Sequence, residues 1–286
     1  MVTIPTPVTE WLAANGFGAV IRSQPVGGGC INNGSRLETD LGHTFFLKQN
    51  NNAPPDMFQR EADGLRALAV SGGPRTPVPL LIGTSYLLLE DLSPVAPAAE
   101  YWRHFGQQVA TVHNQRADQF GFDEDNYLGS TPQPNPWLED GYEFFRLHRL
   151  LFQAEMAQAA GRLSRQDLQR VELICRRLPQ LIPSQPASLL HGDLWSGNAI
   201  AGSDGQPAWI DPAAHYGWAE AELGMTTLFG GFPSAFYDAY QQVHPLDAGW
   251  RERLPIYNLY HLLNHLNLFG QSYLPQVQSV LSRFAD

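Results

Sequence analysis

Residues 188–198 read SLLHGDLWSGN, and Asp211 closes the apolar run AWID. Asn198 follows Asp193 by five positions and Asp211 follows it by eighteen. Moving a phosphoryl group asks a protein mainly for positioning and charge neutralisation. One acid, Asp193, can orient an acceptor hydroxyl and take its proton. An amide and a second acid, Asn198 and Asp211, are the hard oxygen ligands that Mg2+ prefers. The interval from Asp193 to Asn198 allows one tight loop, with Gly197 easing the turn. Asp and Asn near Gly are also ordinary turn formers. Three such residues at this spacing, flanked by the strand-like SLL and AWI, favour chemistry over a plain turn.

The spacing is that of a protein-kinase-type catalytic loop. It implies an α+β, protein-kinase-like two-lobe fold. A small N-lobe (1–92) would carry a five-stranded antiparallel sheet and one main helix. A larger, mostly helical C-lobe (93–286) would carry the catalytic loop. Composition agrees with a folded chain of this size. The 286 residues are 43% hydrophobic and 16% charged, as in soluble globular proteins. A formal net charge of −10 argues against nucleic acid or an anionic membrane surface as partner. Two cysteines, Cys30 and Cys175, fit a reducing compartment without a disulfide framework. The N-terminus lacks a signal-peptide pattern and no apolar run reaches membrane-spanning length, so the expectation is a cytoplasmic protein.

Thr9 is expected to cap a short first helix that ends near Gly16. Strands are expected around Val20, over Ile31 to Glu38 and over His43 to Lys48. The first two are joined by PVGGGCINNGSR, whose Gly28 and Gly29 would let backbone N–H groups approach phosphates. Lys48 ends FFLK, where it would meet nucleotide phosphates. The next helix, about Pro55 to Val70, places Glu61 on its apolar face with Met57 and Leu65. A carboxylate there wants a cation, and Lys48 is the expected partner. PLLIG and SYLLLEDL complete the sheet. Glu90, Asp91 and Leu92 then form the expected adenine-binding segment before the prolines of a hinge.

A helix is expected to end at His113, and the stretch from Asn114 to Pro136 reads as one long loop. Two long helices follow, Trp137 to Ala160 and Ser164 to Leu178, the second with a Ser164–Asp167 capping box. After Asp211 come a loop and a helix from Trp218 to Phe229, then helices over Pro233 to Val243, Gly249 to Phe269 and Leu274 to Phe284. Asn258, His261 and His265 share one helix face. As a group they could form a polar wall of a sugar pocket. His215 and Trp218 are further substrate candidates, and Trp195 is the candidate for packing on the sugar, because apolar sugar faces suit an aromatic surface. Zinc on the paired histidines has no support from a nearby acid or Cys.

HGDLWSGN followed by IDPA resembles the fructosamine kinase (ketosamine 3-kinase) family, related to aminoglycoside phosphotransferases and choline kinases. GGGCI, the FLK strand, the helix start MF-x-x-E and the segment LFGGF resemble it too. The likeness runs from about Val26 to the C-terminal helices. It implies ATP and Mg2+ as cofactors, Asp193 as proton acceptor, and Asn198 and Asp211 as metal ligands. Lys48, paired with Glu61, would contact phosphates, and Glu90 to Leu92 would hold adenine. The implied substrate is a small-molecule or protein-bound ketosamine, phosphorylated on its 3-hydroxyl, with a monomer or weak homodimer as the expected state. The alternatives are another small-molecule kinase of the aminoglycoside or choline type, or a catalytically silent nucleotide-binding scaffold.

Overall fold

The computed structural model describes residues 3–27 and 33–285. Gly28, Gly29 and Cys30 of the expected phosphate flap lie outside the described residues. Helix α1 (Thr6–Ala14) precedes strands β1 (Val20–Val26), β2 (Asn33–Thr39) and β3 (Thr44–Gln49). Helix α2 (Met57–Ala67) and strands β4 (Pro79–Ile82) and β5 (Tyr86–Glu90) complete the first layer. The five strands form one antiparallel sheet in the order β1-β2-β3-β5-β4. Thr9 does not cap α1. Pro5 holds the N-cap position, and the Thr9 hydroxyl bonds back to the Thr6 carbonyl at 2.8 Å.

Period-two alternation decides what each sheet face touches. Leu37, Phe45, Leu47 and Leu88 pack against Val8 and Leu12 of α1. Phe46, Leu87 and Leu89 point the other way, against Phe58, Ala62 and Leu65 of α2. Lys48 lies two residues beyond Phe46, so its side chain also projects toward α2. The sheet thus delivers one cation to an otherwise apolar interface.

The helical part follows. Helix α3 (Tyr101–His113) precedes three short strands, β6 (Arg116–Ala117), β7 (Asn126–Leu128) and β8 (Thr131–Gln133). The expected single loop after Asn114 is therefore corrected. Strands of two or three residues give too short a pattern to register as periodic. Helix α4 (Gly141–Phe145) runs through a π-helical stretch (Arg146–Leu151) into α5 (Phe152–Ala159). Helix α6 (Arg165–Leu181) has the expected cap: the Ser164 hydroxyl accepts from the Asp167 N–H at 3.0 Å. Strands β9 (Ala187–Leu190), β10 (Ala199–Ala201), β11 (Pro207–Trp209) and β12 (His215–Gly217) come next. Helices α7 (Ala219–Met225), α8 (Ser234–Val243), α9 (Trp250–Phe269) and α10 (Leu274–Phe284) close the chain. Helix α7 stops short of the expected Phe229, which sits instead in a left-handed turn with φ 52°. Among the described residues, no helix is long and apolar enough to cross a membrane.

Contacts near the site tie the sheet layer to the helical part, two of them through α2. The β7 side chain Tyr127 donates its hydroxyl to Asp56 at the start of α2, at 2.7 Å. Gly64 of α2 lies where an added Cβ would stand 3.3 Å from the Ala214 Cβ and 3.4 Å from Pro212. Helix α2 is therefore pinned by the segment that follows Asp211.

Helices α3 and α8 cross in close contact. A Cβ on Gly106 would come within 2.1 Å of the Phe236 carbonyl oxygen. Gly106→Ala forces two backbones apart, so the unfolding free energy should fall by about 3 kcal/mol. Urea unfolding checks this, and an unchanged midpoint contradicts the crossing.

Candidate active site

The catalytic loop is a product of two small β pairings. Strand β9 ends at Leu190 and pairs with β12, placing Leu190 opposite His215. Strand β10 pairs with β11, and the Ile210 N–H continues that ladder to the Asn198 carbonyl at 3.1 Å. The loop carrying Asp193 and the segment carrying Asp211 are therefore laid side by side. The Ala213 N–H closes the arrangement on the His191 carbonyl at 2.9 Å. Asp211 itself has φ 60°, a left-handed value for a residue with a Cβ, and such strain collects at functional sites.

Lys48 is the hub. Its ammonium contacts Glu61 Oε1 at 2.5 Å and also Asp211 Oδ1. The residue is only 5% exposed. Burial alone would lower its pKa, but the carboxylates of Asp211 and Glu61 outweigh burial and hold it above the usual lysine range. Burial pushes the Glu61 carboxyl upward, opposed by Lys48. The expected Lys48–Glu61 pair is present, and the cation also reaches the second acid of the motif.

Asp193 is partly buried. Its carboxyl is pushed up to about 7, first by burial and then by the like charge of Asp211, against a hydrogen bond from Asn198. The Asn198 amide donates from Nδ2 to the Asp193 carbonyl at 2.8 Å and to Asp193 Oδ2 at 3.2 Å. With Nδ2 committed, the Oδ1 atom of Asn198 stays available as a ligand. Asp211 spends Oδ1 on Lys48, leaving Oδ2, and its side chain is 39% exposed. Asn198 is buried and Asp211 half-exposed. One amide oxygen and one carboxylate oxygen are hard donors that suit Mg2+, which keeps several waters and relies on phosphate for the rest of its shell.

Behind Asp193 lies a buried carboxylate that the sequence reading missed. Glu222 of α7 accepts from the His191 N–H at 2.8 Å and the Gly192 N–H at 2.7 Å. His113 Nε2 adds a third bond at 3.1 Å, and His113 Nδ1 meets the Tyr240 hydroxyl at 2.7 Å. Burial alone would raise the Glu222 pKa, but these bonds outweigh it and lower it, so the group stays ionised. It fixes the backbone directly ahead of Asp193. The signal was available: Glu222 stands between apolar neighbours in AEAELGM, much as Glu61 does in its helix. His191 is held too. Its Nε2 donates to the Ile210 carbonyl at 2.9 Å, and its Nδ1 accepts from the Asp193 N–H at 3.3 Å. Burial keeps this ring neutral.

The remaining expected site residues separate into three places. The side chains of Glu90 and Asp91 are engaged in ion pairs, with Arg75 and Arg36 respectively, and Leu92 is buried. Any role for this segment toward a base falls to its backbone. His215, Trp218 and His261 line a partly open cavity of about 30 Å3, together with Arg149 and Tyr260. That volume suits one or two waters. Burial lowers the pKa of both histidines, His261 to about 3. Trp195 and His265 instead meet at an open aromatic surface through Phe229.

The fold and site define a protein-kinase-like phosphotransferase that uses ATP and acts on a hydroxyl group. The fructosamine kinase family model matches residues 8–286, so the chain belongs to the fructosamine kinase family. A Synechocystis protein assigned as a ketoamine kinase is 42% identical over 266 residues, 90% of this chain and 88% of that one. The chloroplastic protein-ribulosamine 3-kinase of Oryza sativa subsp. indica is 37% identical over 288 residues, 97% of this chain and 83% of that one. A crystal structure from Thermobifida fusca assigned to the fructosamine-3-kinases has a TM-score of 0.88 and 33% identity, covering 99% of this chain and 98% of that one.

The raised Asp193 pKa carries a stability consequence. The unfolded carboxyl titrates near the ordinary 3.8 and the folded one near 7. Above pH 7 both states are ionised, and the fold bears the burial of a charge. As the pH falls from 7 toward 3.8 the fold keeps a proton the unfolded chain lacks, and the penalty fades. Asp193→Asn should therefore melt about 5 °C higher than the unmodified protein at pH 8 and at the same temperature at pH 4. Scanning calorimetry at both values checks this, and a gain independent of pH contradicts it.

Proposed function

We propose that this chain transfers the γ-phosphoryl group of ATP to the 3-hydroxyl of a ketosamine, the adduct of a ketose with an amine. The observation that carries the reading is the clustering of Lys48, Asp193, Asn198 and Asp211, in a chain of the fructosamine kinase family.

Each residue has a task its surroundings support. Asp193 accepts the proton of the attacking hydroxyl. A carboxyl near 7 is matched to that exchange at neutral pH. Asn198 Oδ1 and Asp211 Oδ2 would hold Mg2+. When bound, that ion neutralises charge on the β- and γ-phosphate oxygens. Lys48 is positioned by Glu61 to neutralise phosphate charge from the other side. Glu222 and His191 keep the loop backbone fixed, so little reorganisation remains for the moment of transfer. The backbone of Glu90 to Leu92 is our candidate for the adenine edge, and the stretch containing Gly28 and Gly29 for the phosphate flap.

Phosphorylation at the 3-hydroxyl makes the adduct labile and frees the amine. On that chemistry the protein serves deglycation of amines or of protein lysines, which fits relatives named for ketoamines and for protein-bound ribulosamine.

Purified protein given ATP, Mg2+ and ribulosamine or fructosamine adducts of lysine should consume ATP and yield the 3-phosphate, read by phosphorus NMR. Asp193→Ala should lower kcat at least a thousandfold while ATP affinity stays within a few fold, since this acid faces the acceptor. ATP binding without ketosamine phosphorylation contradicts the reading.

A further inference from the structure

An aromatic wall leaves the catalytic loop that phosphoryl transfer alone does not need. Trp195 stands two residues beyond Asp193 and folds back over Gly197, where an added Cβ would come within 2.4 Å of the indole. Its ring meets Phe229 edge to face at 5.9 Å, and Phe229 meets His265 at 4.9 Å. His265 continues the wall to Tyr273 at 5.0 Å and Phe269 at 5.3 Å. Phe229 and Phe269 are 37% and 46% exposed, so the wall is open toward solvent. Phe229 is held in left-handed backbone at φ 52°, between Leu228 and two glycines. A strained, exposed phenylalanine is a poor choice for stability and asks for a function.

The chemistry of the wall points to a cation with an apolar arm. His265 Nδ1 lies 2.8 Å from the His261 carbonyl oxygen. A carbonyl only accepts, so Nδ1 carries the hydrogen. Burial keeps the ring neutral, and Nε2 is left as an acceptor with no partner among the described residues. The arginine–ring contacts among the described residues involve Phe144, Tyr260, Tyr237, Trp250 and Phe284, so these wall rings hold no arginine. A ketosamine nitrogen is a secondary ammonium near neutral pH. Ring faces attract such a cation, and an N–H of it suits a neutral imidazole nitrogen.

We propose that the amine half of the ketosamine lies on this wall, with the ammonium N–H donated to His265 Nε2 and the amine substituent running over Phe229 toward Phe269 and Tyr273. The inference rests on the ketosamine reading above. It makes Phe229 and His265 determinants of which amine is accepted. Adducts of arylalkyl or lysine-like aliphatic amines are favoured. Adducts with a carboxylate beside the nitrogen are disfavoured, because among the described residues no arginine stacks on these wall rings and the chain is acidic overall.

Adducts of one ketose with benzylamine, Nα-acetyl-lysine amide and glycine test this by steady-state kinetics. The unmodified protein should favour the benzylamine and lysine adducts over the glycine adduct by at least tenfold in kcat/KM, mostly through KM. Phe229→Gly removes the ring and accepts the backbone angle, so folding is preserved. It should lower kcat/KM about tenfold for benzylamine and about twofold for glycine, with KM for ATP within twofold. His265→Leu should raise KM for every adduct, and His265→Gln, which keeps an acceptor, should recover most of the loss. Turnover without amine preference, or an equal loss on all adducts in Phe229→Gly, overturns the wall and leaves the ketosamine reading standing. No turnover with any adduct overturns both.

Discussion

One buried lysine holds this site together. Lys48 comes from the sheet, Glu61 from α2 and Asp211 from the loop after β11, and the ammonium is in contact with both carboxylates. In so dry a place an unpaired ammonium would be strongly destabilising, and so would either acid alone. Each of the three elements therefore stabilises the position of the other two. The arrangement joins the sheet to the helical part through charge. One net negative charge remains in the cluster, and that is a charge a metal-bound nucleotide can meet.

The proposed proton acceptor is placed by a different device. Asp193 forms no ion pair among the described residues. The two residues ahead of it are held by Glu222 through their N–H groups, its own N–H donates to His191 Nδ1, and its side chain accepts from Asn198. The carboxyl is left poised near 7 because burial and Asp211 oppose ionisation. Precise geometry and a raised pKa thus have separate sources: hydrogen bonds to main-chain N–H groups give the first, and low polarity with a neighbouring like charge gives the second. The aromatic wall adds a third property, selectivity, on a surface that the chemistry itself does not use.

Much of this was legible in order along the chain. The five strands and their antiparallel sheet follow from β-prone runs and turn residues. The Lys48–Glu61 pair follows from a carboxylate on an apolar helix face. Asp193, Asn198 and Asp211 follow from spacing. What escaped had one of two causes. Strands of two or three residues, such as Asn126–Leu128, are shorter than the window in which alternation can be seen. Partners far apart in sequence left no local mark, so Glu222, His113 and Tyr240 could not be joined by inspection, although Glu222 alone among apolar neighbours was a clue. The candidate substrate residues His261 and His265 illustrate the limit. Helical spacing put His261 and His265 on one face. Packing then enclosed His261 around a small cavity and left His265 on the open wall, a division that only the tertiary structure could make.

The central claim is that two oxygens on neighbouring loops, with Lys48 beside them, receive the metal-bound phosphates of ATP. The direct measurement is a crystal structure of the full chain with Mg2+ and a non-hydrolysable ATP analogue. The account predicts metal on Asn198 Oδ1 and Asp211 Oδ2, phosphate oxygens on Lys48, and the Asp193 carboxylate facing the γ-phosphate with room for one hydroxyl. Nucleotide bound elsewhere, or metal held without Asp211, would contradict it.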